Sequence, residues 1–197
     1  MKRMLITGFE PFGGQTVNAS WEAVKALPDQ VGVYKLDKLQ LPVLFDTAAQ
    51  NVIRRTDATG PDTVLMVGQA AGRDALSFEM VGLNLRHAEI ADNRGFIPHD
   101  MPCKMDGPAA EFSQLPVRTM AAAAAEAGVK ARVSYTAGTF VCNDVFYTVS
   151  NYFRPCQIIL TGFVHVPALP EQAAEDQPSM SLEETVKGLI AAIESLE

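Results

Sequence analysis

Short apolar runs rich in β-branched residues alternate along the chain with longer stretches of helical period, and this alternation restricts the fold more than any other feature. Strands apolar on both faces need helices to cover both. The pattern therefore predicts an α/β fold, one domain over residues 1–197 with three α/β/α layers and a mostly parallel, twisted sheet. Arg3 to Thr7 reads as a buried strand closed by Gly8, after which Asn18 or Ser20 caps a helix carrying Trp21, Val24 and Leu27 that Pro28 ends. Val31 to Leu41 reads as one strand, Phe45 to Arg55 as a helix with Asp46 as its cap, and Thr63 to Val67 as a second buried strand. Met80 to Leu85 alternates apolar with Gly and Asn, and Glu79 is in phase with its apolar face. Pro108 and Pro116 each start a helical stretch, the second running through the alanine tract to Gly128. There follow a strand at Ala131 to Tyr135, the turn Ala137-Gly138-Thr139, a helix from Phe140 to Phe153 and a strand at Gln157 to Gly162. Val166 to Pro178 is a long aperiodic loop, and Ser181 with Glu184 forms a capping box for the last helix.

Charge removes several function classes. Sixteen Lys plus Arg against 23 Asp plus Glu leave a net charge of -7, which opposes binding to nucleic acid or to anionic membrane surfaces. The apolar run behind Lys2 and Arg3 stops at Gly8 and Glu10, too short for a signal peptide or a membrane span. Cys103, Cys142 and Cys156, odd in number and widely spaced, build no closed disulfide framework, so a reducing compartment, the cytoplasm, is expected.

Four features carry chemistry. The loop Gly8 to Gln15 follows a strand and precedes a helix like a phosphate-binding loop, but it has Gly14 and Gln15 where Lys and Ser or Thr are needed, and it carries Glu10. Its Phe9 and Phe12 either line a ligand pocket or fold back into the core. Cys142 opens a helix; with Thr139 as N-cap it is the N3 residue, where the helix dipole favours thiolate. His165 lies where a buried strand runs out into the acidic loop, and no second ligand at metal spacing accompanies it or Cys142. A buried Glu79 needs a cation or an imidazole beside it. Carboxylate, thiol and imidazole together supply an orienter, a nucleophile and a base, the logic of a cysteine hydrolase.

With these residues the chain resembles the pyroglutamyl peptidase I, or pyrrolidone carboxyl peptidase, family of cysteine peptidases over close to its full length. The resemblance rests on Thr7 to Gly14 (TGFEPFGG), Gly68 to Arg73 (GQAAGR), Asp106 to Ala110 (DGPAA), Ala137 to Asn143 (AGTFVCN), Val164 to Pro167 (VHVP) and Pro178 to Glu183 (PSMSLE). It implies removal of N-terminal pyroglutamate from peptides, with Glu79, Cys142 and His165 as triad and no metal or cofactor. It also implies a ring pocket lined by Phe9, Phe12 and Phe140 with Asn18 and Gln69 nearby, and a homo-oligomer, a tetramer among its forms. A nucleoside phosphorylase-like enzyme on a similar fold, or a binder of pyroglutamyl peptides that does not cleave them, are the competing readings. One departure stands out: Ala88-Glu89-Ile90-Ala91-Asp92-Asn93 occupies the place of the family's Ala-Arg-Ile-Pro-Asp-Asn. Glu89 in a partly desolvated site would slow the enzyme, Arg86 three residues earlier points to the other face of an extended strand, and Asp92 remains as a second acidic contributor.

Overall fold

In the computed structural model, which describes residues 1–197, the chain runs β1 (Lys2–Phe9), α1 (Ala19–Ala26), β2 (Gln30–Val31), β3 (Tyr34–Leu41), α2 (Thr47–Thr59), β4 (Thr63–Gln69), β5 (Leu76–Glu79), β6 (Val81–Leu83) and β7 (Ala110–Phe112). It continues through α3 (Val117–Glu126), β8 (Ala131–Ser134), α4 (Val141–Phe153), β9 (Leu160–Val166) and α5 (Leu182–Glu194). Seven strands form one sheet in the order β2-β3-β1-β4-β9-β5-β8. The pairs β1/β3, β1/β4, β4/β9 and β5/β8 are parallel, whereas β2/β3 and β5/β9 are antiparallel. Alternate strand residues divide the core: Met4, Ile6, Leu65, Phe78 and Val164 pack with residues of α1, α3 and α5, while Leu5, Val64, Met66 and Phe163 pack with residues of α2 and α4. This is the predicted α/β domain, with helices on both faces of a mostly parallel sheet. No helix is long and apolar enough to cross a membrane.

Several element assignments change. The strand read from Val31 to Leu41 is an antiparallel hairpin, turned by Gly32 at a φ of 51° that costs glycine little. The segment read as one strand over Met80 to Leu85 breaks at Met80: β5 joins the large sheet, and β6 pairs with β7 in a separate two-stranded sheet. Glu79 therefore ends β5, where all four residues are buried because both faces are covered, so alternation along the next strand says nothing about its phase. Pro108 starts no helix; its segment forms β7. The last strand begins at Leu160, since Arg154–Cys156 adds a 3-10 turn to α4, and it extends to Val166, placing His165 inside it. Helix α2 runs on to Thr59, and Asp46 at its start makes no capping bond. Asn18 caps α1 by accepting from the Ser20 N–H, and the Ser181–Glu184 box forms as expected.

Candidate active site

The antiparallel junction of β5 and β9 sets Ser77 opposite His165 and Glu79 opposite Phe163. Glu79 and His165 are thus diagonal neighbours on one face, within reach across the ladder, and His165 Nδ1 lies 2.7 Å from Glu79 Oε1. Arg73 Nη1 donates to the same oxygen at 2.6 Å, while its Nη2 donates to the Thr136 carbonyl at 3.0 Å. The two partners considered for a buried Glu79, a cation and an imidazole, are both present and converge on one oxygen. Arg73 was not among the sequence candidates, although it closes the GQAAGR motif. Burial, the largest influence, pulls the His165 pKa below its ordinary 6.5 despite the hydrogen bond and charge of Glu79, so the ring is neutral near pH 7. With Nδ1–H donating to the carboxylate, Nε2 keeps its lone pair free to take a proton.

Cys142 is the second residue of α4, because the helix starts at Val141 with Phe140, not Thr139, at the N-cap. The Thr139 hydroxyl instead donates to the His87 carbonyl at 2.8 Å. The sulfur lies above Gly68, where an added Cβ would come within 2.8 Å of Cys142 Sγ and 2.8 Å of the Phe163 ring. Gly68 is the register partner of His165 between β4 and β9, and the missing side chain leaves the space that the sulfur fills. The helix start favours thiolate as expected, through a backbone N–H, but that influence is outweighed. Burial, and then the charge of Glu79, push the thiol up to about 12, beyond what Arg73 and a backbone N–H recover, so the resting sulfur is protonated.

Phe9, Phe12, Asn18, Gln69 and Phe140 line one pocket with Cys142, completed by Val43 and Val141. Phe9 is buried as well as pocket-lining, so both readings of this residue hold. Phe12 and Phe140 face each other at 6.2 Å between ring centroids, and Phe45 supports Phe140 edge-on at 5.3 Å. Asn18 serves chiefly as a cap: its Oδ1 accepts from the Ser20 N–H and hydroxyl, and its Nδ2 donates to the Glu10 carbonyl.

The Glu89 segment lies outside this pocket. Glu89 is exposed, on a shallow depression with His87, Ile90 and Thr139 that meets the ring pocket only at Phe140. The desolvated carboxylate expected to slow the chemistry is therefore absent. Asp92 is buried, but its oxygens accept from the N–H groups of Phe45, Arg94 and Phe96, so it shapes the loop and contributes no acid to the site. Arg86 is buried between Asp144 and Asp46, with its Nε 2.7 Å from Asp144 Oδ1, so its guanidinium is spent on these two carboxylates. No cluster of three or more His, Cys, Asp or Glu side chains is arranged to hold a metal ion.

Comparison with known proteins finds relatives over nearly the whole chain. The family model described as pyroglutamyl peptidase matches residues 2–197. A pyrrolidone-carboxylate peptidase of Brevibacillus brevis is 43% identical over 199 residues, covering 99% of this chain and 93% of that protein. One from Staphylococcus saprophyticus is 46% identical over 198 residues, covering 98% and 92%. Among solved structures, pyroglutamyl peptidase I of Bacillus amyloliquefaciens superposes with a TM-score of 0.95 at 39% identity, covering 100% of this chain and 97% of that one.

Proposed function

The chain belongs to the pyroglutamyl peptidase family and is a peptidase, and from that premise we propose that it is a cysteine exopeptidase hydrolysing the bond after an N-terminal pyroglutamyl residue. The observation that carries the reading is the Glu79–His165 pair at 2.7 Å, with a thiol that lines an aromatic pocket seated over Gly68, the register partner of His165. The pyrrolidone ring enters between Phe9, Phe12 and Phe140, which meet its methylenes, and Gln69 meets the lactam. His165 takes the Cys142 proton as sulfur attacks the pyroglutamyl carbonyl, since the thiol is too weak an acid to ionise beforehand. Glu79 stabilises the resulting imidazolium, and the Cys142 N–H, at the start of α4, faces the developing oxyanion. His165 then protonates the leaving amine, and water, activated by the same imidazole, hydrolyses the thioester. No step calls for a metal or cofactor.

This reading extends to peptides with N-terminal pyroglutamate as the substrates, to cytoplasmic action and to assembly as a homo-oligomer, a tetramer among its forms. The nucleotide reading is weakened by Glu10, whose Oε1 accepts from the Val43 N–H and from Asn93, putting a carboxylate in the loop where phosphate would sit. The test is release of amine from a pyroglutamyl amide by purified protein, alongside the same peptide beginning with glutamine or glutamate. Cleavage of the first alone is expected, because a free ammonium would meet three phenylalanines without a counter-ion. Binding without turnover would favour the non-cleaving binder.

A further inference from the structure

We propose that Gln172, on the loop between β9 and α5, is a positioning residue that locks the Gln69 amide with its N–H groups turned into the ring pocket, toward the lactam oxygen of a pyroglutamyl substrate. The inference rests on the function proposed above and adds a loop residue that no pocket contact includes. The Ala19 N–H donates to Gln69 at 2.7 Å, and because a backbone N–H can only donate, the atom receiving it is Oε1. Gln172 Nε2 donates to that same oxygen at 3.1 Å and to the Val17 carbonyl at 3.1 Å. The Leu169 N–H donates to Gln172 Oε1 at 3.0 Å, so the Gln172 amide is held in one orientation from both ends by backbone groups.

Gln69 Oε1 therefore carries two donors, and Gln69 Nε2, with no protein acceptor of its own, is left for the pocket the side chain lines. Asn18 is turned alike, its oxygen spent on Ser20 and its Nδ2 bonded to Glu10. Of the pocket's two amides, Gln69 alone thus keeps an amide nitrogen without a protein acceptor. A lactam carbonyl is an acceptor and matches this donor; the ammonium of an uncyclised residue is a donor and does not.

The experiment measures kcat and KM on a pyroglutamyl amide, the inhibition constant of 2-pyrrolidone and the rate of Cys142 alkylation by iodoacetamide, for wild type, Gln172→Ala and Gln172→Glu. Gln172→Ala is expected to raise KM and the 2-pyrrolidone constant about ten-fold, with kcat and alkylation changed less than about two-fold, since Ala19 still holds Gln69 but more loosely. In Gln172→Glu a carboxylate faces Gln69 Oε1, and the repulsion favours the flipped amide, so the KM penalty should approach about a hundred-fold near pH 8. Protonation restores an O–H donor, so the ratio of variant to wild-type KM should fall as pH drops toward about 5. Unchanged KM and 2-pyrrolidone binding in both variants, or a KM ratio flat with pH, overturns the inference while leaving the peptidase reading intact. Failure of the wild type to hydrolyse the amide or bind 2-pyrrolidone overturns the peptidase reading itself.

Discussion

His165 and Cys142 are both neutral at rest, and this governs how the activity should respond to pH. Only neutral His165 can accept the thiol proton, and burial lowers its pKa below 6.5. Thus kcat/KM should fall about ten-fold per pH unit below the depressed His165 pKa and stay level through neutrality, with the acid limb under pH 6.5. An acid limb above that value would show that the imidazole is not desolvated as the structure has it. Arg73 bears on the same limb, because its charge opposes protonation of His165. Arg73→Gln should move the limb to higher pH and lower the maximal rate, Glu79 having lost its second partner. Cys142→Ser should abolish hydrolysis, whereas Cys103→Ser and Cys156→Ser should retain most of it. Cys103 is half-buried, with its sulfur donating to the Leu83 carbonyl, and Cys156 is exposed. Full activity in the Cys142→Ser protein would end the cysteine mechanism.

The site depends on how strands approach one another. Gly68→Ala would bring a methyl within 2.8 Å of both Cys142 Sγ and the Phe163 ring, and the sulfur, at the end of a short side chain, would be pushed aside. A displacement of about 1 Å at the nucleophile costs about a hundred-fold, so kcat/KM should drop by that order while KM moves less. The segment between β6 and β7 is fastened by Arg86. Arg86→Leu leaves Asp144 fully buried without its ion-pair partner, a loss of about 3–5 kcal/mol in urea unfolding at neutral pH. Burial already raises the Asp144 pKa above its ordinary 3.8, so the penalty falls on the ionised form. It should vanish at low pH, where Asp144 is protonated, and grow as pH rises and the buried carboxyl ionises. The helix of Cys142 and the strand of His165 were legible as elements because glycine, proline and β-branched runs mark them locally, but not in their bounds, since the helix starts one residue later than read and the strand runs four residues further. The break at Met80 was not, since the residues on both sides are equally good strand formers and only pairing with β8 and β9 on one side and β7 on the other separates them. Arg73 and Gly68 escaped for a related reason: a salt bridge and a close approach across strands leave no periodicity along the chain. The thiol was misjudged because proximity to a helix end can be read from sequence, while the burial that outweighs it cannot.

At the scale of the molecule, the net charge of -7 and the position of Glu89 act together on which peptides arrive. Glu89 is exposed beside Phe140 and is the one carboxylate lining the depression that borders the ring pocket. The charge of a solvated carboxylate is screened, with a Debye length of about 8 Å at physiological ionic strength. Its influence should therefore be felt by charges on the peptide beyond the scissile bond more than by the chemistry itself. A peptide with Lys or Arg after pyroglutamate should show a higher kcat/KM than one with Asp or Glu, by about two- to ten-fold at low salt, and the difference should shrink as salt is added. Glu89→Arg should reverse that order while changing turnover of an uncharged pyroglutamyl amide less than about two-fold. A gain of tens of fold on the uncharged amide, persisting at high salt, would instead place the side chain at the oxyanion. In that case the depression beside Phe140 would have to close over the substrate before reaction.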